Sequence, residues 1–137
     1  MKIVVNLIAV IIGVIVGGII NMLIIEYGVY LIPTPEAYDV TNMDTMLVSF
    51  HLLEPKHFIM PWMAHALGTF IGALLTFKVA KTNKFYLALI ICVFFLFGGI
   101  YMVVLLPSPL WFTILDLGLA YLPMVWIINK YFSKKVS

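Results

Sequence analysis

All three histidines of the chain fall within fifteen positions, at His51, His57 and His65, with Glu54-Pro55-Lys56 between the first two. Imidazole nitrogen and carboxylate oxygen are the usual ligands of zinc and similar ions. His51, Glu54, His57 and His65 are therefore the candidate metal ligands, and a divalent metal is the cofactor they would hold. Against this, H-x2-E-x2-H with a proline inside lacks the unbroken helix that an H-E-x-x-H site requires. His51 and Glu54 are three apart, which puts them on one face of a helix. His57, Pro61 and His65 follow at steps of four and share one stripe of the helix after it.

Asp116 is the second chemical feature. It stands alone in the apolar stretch Leu110–Leu119. A carboxylate inside a membrane-spanning helix costs a few kcal/mol and normally faces a partner in the bundle interior. Counting along the helices, Asp116 lies about 9 Å and His65 about 12 Å from the same boundary, at 1.5 Å per residue. Asn21 and Tyr101 come to that level too, so the polar groups of the spans converge in one third of the bundle. Two readings stay open: hydrogen-bonded glue between helices, or a ligand, proton or metal site.

The elements that must position these groups follow from composition. Of 137 residues, 64% are hydrophobic and 10% charged, against roughly 25% charged in soluble domains. With a mean hydropathy of +1.15, a soluble domain, a disordered chain and a collagen are excluded. Cys92 is the sole cysteine, which excludes a disulfide-stapled module. Eight lysines and no arginine argue against nucleic acid as a partner.

The chain reads as an all-α, polytopic membrane protein, one domain over 1–137, with transmembrane helices at about 3–25, 57–80, 85–106 and 110–131. The first run is too long for a signal h-region and lacks its cleavage site, so it reads as a retained helix. Lys2, Lys78, Lys81, Lys84, Lys130, Lys134 and Lys135 fall on one side when the helices alternate; Glu26, Glu36, Asp39, Asp44 and Glu54 fall on the other, with Lys56 as the one lysine among them. Excess lysine in short loops marks the cytoplasmic face, so both termini are expected inside and the 26–56 loop outside. Tyr27, Tyr30, Trp62 and Trp111 would form one aromatic belt and Phe85, Tyr86, Trp126 and Tyr131 the other.

Within the loop, Thr41-Asn42-Met43-Asp44 has the form of a capping box with Thr41 as the cap. A short amphipathic helix is expected over about 42–54, stopped by Pro55. Gly13 and Gly17 in the first span, and Gly68 and Gly72 in the second, form small-xxx-small edges for close helix packing. Gly17-Gly18-Ile19 recurs as Gly98-Gly99-Ile100, which would fit a parallel repeat of two helices plus two.

At Glu54-Pro55-Lys56-His57-Phe58, Pro61 and Ala64-His65-Ala66-Leu67-Gly68-Thr69, the chain resembles a group of small bacterial four-helix integral membrane proteins. The likeness continues at Gly98-Gly99-Ile100, Leu106-Pro107-Ser108-Pro109, Asp116-Leu117 and Tyr121-Leu122-Pro123-Met124. The group has no assigned activity, so the resemblance implies topology and a bacterial inner-membrane location only. The sequence holds no Gly-rich phosphate loop, GxSxG, CxxC or HExxH motif, which favours a non-enzymatic role. The expectation is a binding or accessory subunit, in contact with lipid and with a second copy or another membrane protein. The alternatives are a membrane enzyme or metal- or proton-handling site on the polar cluster, and an oligomeric small-solute transporter.

Overall fold

The structure, a computed structural model, describes residues 1–133. Lys134 and Lys135, assigned above to the lysine-rich side, lie outside them. The helices are α1 (Lys2–Gly28), α2 (Met43–Ser49), α3 (Ile59–Val79), α4 (Lys84–Leu105), α5 (Leu110–Leu119) and α6 (Leu122–Phe132). With the 3-10 turn before α3 and the pair α5–α6 taken together, four helical segments among the described residues are long and apolar enough to cross a membrane. Ile3, Leu7, Ile15, Phe97 and Val104 remain exposed on their outer faces. Hydrocarbon tails are the solvent that suits such a surface, and helices satisfy their own backbone polar groups within it.

One end of the bundle holds Lys2, Lys78, Lys84 and Lys130 near helix termini and Lys81 in the turn between α3 and α4; the other holds the 29–58 loop. At the lysine end, the turn between α3 and α4 uses Asn83 at φ 51°, a left-handed position that asparagine tolerates. Asn6 fixes this turn to α1. Its Nδ2 donates to Thr82 Oγ1 at 2.8 Å, and its Oδ1 accepts from Lys81 N–H at 2.9 Å.

Helix α1 packs chiefly on α3 and only lightly on α4. The approach is close because glycine faces glycine: a Cβ on Gly17 would lie 2.6 Å from the Gly68 carbonyl, and one on Gly72 would lie 2.5 Å from that of Gly13. Thr76 Oγ1 exploits the same proximity and reaches the Ala9 carbonyl at 3.1 Å. The two Gly-Gly-Ile segments are not used alike. Gly17 meets its neighbour helix and Gly18 meets nothing, whereas Gly98 meets nothing and Gly99 meets Tyr121.

The fourth span is not one helix, contrary to the continuous 110–131 segment expected from composition. Helix α5 stops at Leu119, Tyr121 takes φ −121° and ψ −78°, and α6 begins with Pro123 in its first turn. Proline supplies no N–H and its ring clashes with the carbonyl four residues back, so the helix breaks before it.

The loop helix is also shorter than 42–54. Helix α2 ends at Ser49, a 3-10 turn covers Phe50–Leu52, and Leu53 and Glu54 are extended. Its cap is Asn42, whose side chain accepts from Asp44 N–H and Thr45 N–H; the Thr41 hydroxyl goes to Asp39 Oδ1 instead. The loop is held down by a cluster of Tyr38, Phe50, Phe58, Leu106 and Phe112. Phe58 is its hub, 5.8 Å from the Phe50 ring and 4.7 Å from the Phe112 ring.

Candidate functional site

Helices α3 and α5 meet at a direct contact between His65 and Asp116. The imidazole Nδ1 lies 2.8 Å from Oδ1 and 3.0 Å from Oδ2 of the carboxylate. A carboxylate offers only acceptors, so the hydrogen sits on Nδ1 and the ring's orientation is fixed. Asp116 is 1% exposed, while the His65 side chain retains 18%. Tyr121, placed by the break between α5 and α6, stacks on the His65 ring with centroids 5.8 Å apart. Its hydroxyl makes a long contact to Asp116 Oδ2, 3.4 Å.

The second ring nitrogen, Nε2, has no hydrogen-bond partner among the described residues. In the neutral ring this atom carries the lone pair. His65 and Asp116 line a cavity of about 80 Å³ roofed by the loop residues Tyr38, Met46 and Phe50. His65 also lines a second cavity of about 340 Å³ between α1 and α4, with Asn21, Tyr101 and Tyr121. A water needs about 10–15 Å³ of such space, so both have room for solvent or for part of a ligand.

The other histidines go elsewhere. His57 stands in the 3-10 turn Pro55–Phe58, before the α3 stripe begins. Its Nδ1 accepts from Glu54 N–H at 2.8 Å, so its hydrogen is on Nε2 and is donated to the Pro33 carbonyl at 3.1 Å. Both ring nitrogens are thus spent on clamping the loop to the start of α3. His51 is exposed, and its Nδ1 donates to the Val48 carbonyl at 3.0 Å. Glu54 lies beyond the loop helix rather than on one face with His51, and pairs with Lys56 at 3.0 Å. The neighbouring ammonium holds its carboxyl below the usual range.

His51, Glu54, His57 and His65 are therefore not brought together. Among the described residues no group of three or more His, Cys, Asp or Glu side chains is placed to hold a metal ion. Asn21 and Tyr101 do share a cavity with His65. Three polar groups went unread in the sequence. Tyr121 was one, although Pro123 two residues later signals the break that aims it. The others are Thr69, one helical turn from His65, and Trp62; the Thr69 hydroxyl and the Trp62 indole N–H are buried with no partner among the described residues.

No protein family, curated protein or solved structure matches the chain.

Proposed function

We propose that the chain is a small membrane bundle acting as a binding or accessory subunit, with His65 as the residue that contacts the ligand. One observation carries this reading. His65 is oriented by a buried carboxylate through Nδ1, while its other nitrogen is unpartnered and its ring borders two cavities. Glue between helices needs only the Nδ1 bond. A carboxylate that fixes the tautomer of an imidazole is the arrangement that prepares the far nitrogen to act, in metal sites and in catalytic triads alike. A lone imidazole supplies a single metal ligand, which favours binding over metal catalysis.

The lysine distribution supports an orientation with both termini cytoplasmic and the 26–56 loop outside, and the resemblance to small bacterial four-helix proteins supports a bacterial inner membrane. Exposed apolar faces and modest size support a companion in the bilayer, either another copy or a different membrane protein.

Two measurements test the reading. Native mass spectrometry after gentle extraction should find a defined oligomer, a companion or a retained small molecule; a bare monomer would sink it. Diethyl pyrocarbonate, which acylates unprotonated imidazole, should modify His65 and spare the doubly bonded His57. An inert His65 would return the His65–Asp116 contact to a purely structural role.

A further inference from the structure

The 340 Å³ cavity opens on the side of the bundle, not on its loop end. It is a groove between α1 and α4, and it exists because Gly18 and Gly98 have no side chains: a Cβ on either would meet nothing within 4 Å. Its flanks are apolar, with Met22 and Phe95, and its lining also includes Asn21, His65, Tyr101 and Tyr121. Whereas Asn6 is fully engaged at the lysine end, the Asn21 amide makes no hydrogen bond among the described residues. Hydrocarbon cannot satisfy an amide, and an unsatisfied polar group at that depth is costly.

The groove and the loop-roofed cavity share three lining residues, His65, Gly99 and Met102. The Gly99 backbone with the Tyr121 hydroxyl packed on it, the flexible Met102 and the imidazole lie where the two meet. On one side of these shared residues is the groove with its polar groups, and on the other a mainly apolar chamber lined by Phe50 and Phe112. The groove's volume matches the lower end of small-molecule sites, about 300–1,000 Å³.

We propose that the ligand of His65 reaches it from the bilayer through the α1–α4 groove, and that it is a hydroxyl-bearing, uncharged lipid-like amphiphile. This rests on the reading of His65 as the ligand-contacting residue. A hydroxyl can donate to Nε2 of the neutral ring and accept from the Asn21 amide, which leaves both groups satisfied. The hydrocarbon body then fills the groove between Met22 and Phe95. No lysine lines either cavity. A phosphate or carboxylate head would meet no cation except an imidazole already paired to Asp116, and would face that carboxylate's charge.

The test uses the full chain in phosphatidylcholine nanodiscs with a long-chain alcohol carrying a diazirine, and the matching diazirine fatty acid for comparison. On illumination, the alcohol should label the segments around Asn21–Met22 and Tyr101–Met102, and excess plain alcohol should compete. The fatty acid should label them more weakly. A Cβ at Gly98 meets nothing within 4 Å, so Gly98→Leu should enter the groove with the fold intact while groove labelling falls roughly tenfold, equivalent to about 1.4 kcal/mol of binding. Even labelling of the exposed α1 face, insensitive to Gly98→Leu, overturns the lateral route. Equal labelling by acid and alcohol overturns the uncharged head. Diethyl pyrocarbonate on the same sample separates the two levels. If His65 is acylated but the groove is not labelled, the binding reading stands and the lipid ligand falls; if neither occurs, both fall.

Discussion

The hydroxyl of Tyr121 occupies the space that a side chain at Gly99 would take. A Cβ built on Gly99 would run into that hydroxyl and into the ring carbon that bears it. The missing side chain on α4 therefore lets Tyr121 lie fully buried, where its ring stacks on His65 and its oxygen reaches toward Asp116. Three helical segments and one break in a helix converge on that point.

Gly99→Ala should accordingly push Tyr121 out of register and destabilise the bundle by about 1–3 kcal/mol, the usual cost of overpacking. The double variant Gly99→Ala/Tyr121→Phe removes the worst overlap and should recover part of the loss. Reversible unfolding in mixed micelles reads both. Additive losses in the double variant would show that the two residues do not compete for space.

Adjacent glycines of α1 should behave oppositely. Gly17 faces the Gly68 carbonyl, so Gly17→Leu must drive α1 away from α3 and cost on the order of 2 kcal/mol or more. Gly18 faces open space, and Gly18→Leu should be nearly neutral in the same unfolding assay. Equal losses at the two positions would contradict the packing of α1 on α3.

In the loop, Asp39 accepts from the Thr41 hydroxyl at 2.7 Å and from the Thr41 N–H at 2.8 Å. The hydroxyl first, and then the amide, hold its carboxyl below the ordinary value. A depressed folded-state value means these bonds contribute above the ordinary carboxylate range and are lost as pH falls through the depressed one. An NMR titration of the Asp39 carboxyl carbon should give a midpoint below that of a free aspartate. Thr41→Val, which removes the hydroxyl and keeps the amide, should raise it part of the way. Identical midpoints would show that the hydroxyl plays no part.

Burial acts in the opposite direction on a neighbouring residue. Tyr38, covered by the Phe50 cluster, has its phenol pushed up to about 12 by desolvation. It therefore stays uncharged under the loop at any pH the bundle would meet.

Composition by itself determined that the chain belongs in lipid, and apolar run lengths determined four spans to within a few residues, because hydrocarbon thickness leaves little freedom. The pairing of Asp116 with a polar group was also legible, since a carboxylate in a span must find one. The sequence could not show which nitrogen of which histidine is spare. His57 and His65 look alike along the chain, yet one is bonded at both nitrogens by Glu54 and Pro33, and the other at one nitrogen only by Asp116. Nor could spacing alone separate Gly17 from Gly18, or Gly98 from Gly99. In each pair one glycine faces a neighbour and the other opens the groove, and helix rotation within the bundle decides which. That rotation comes from packing between residues far apart in sequence, so only the tertiary structure fixes it.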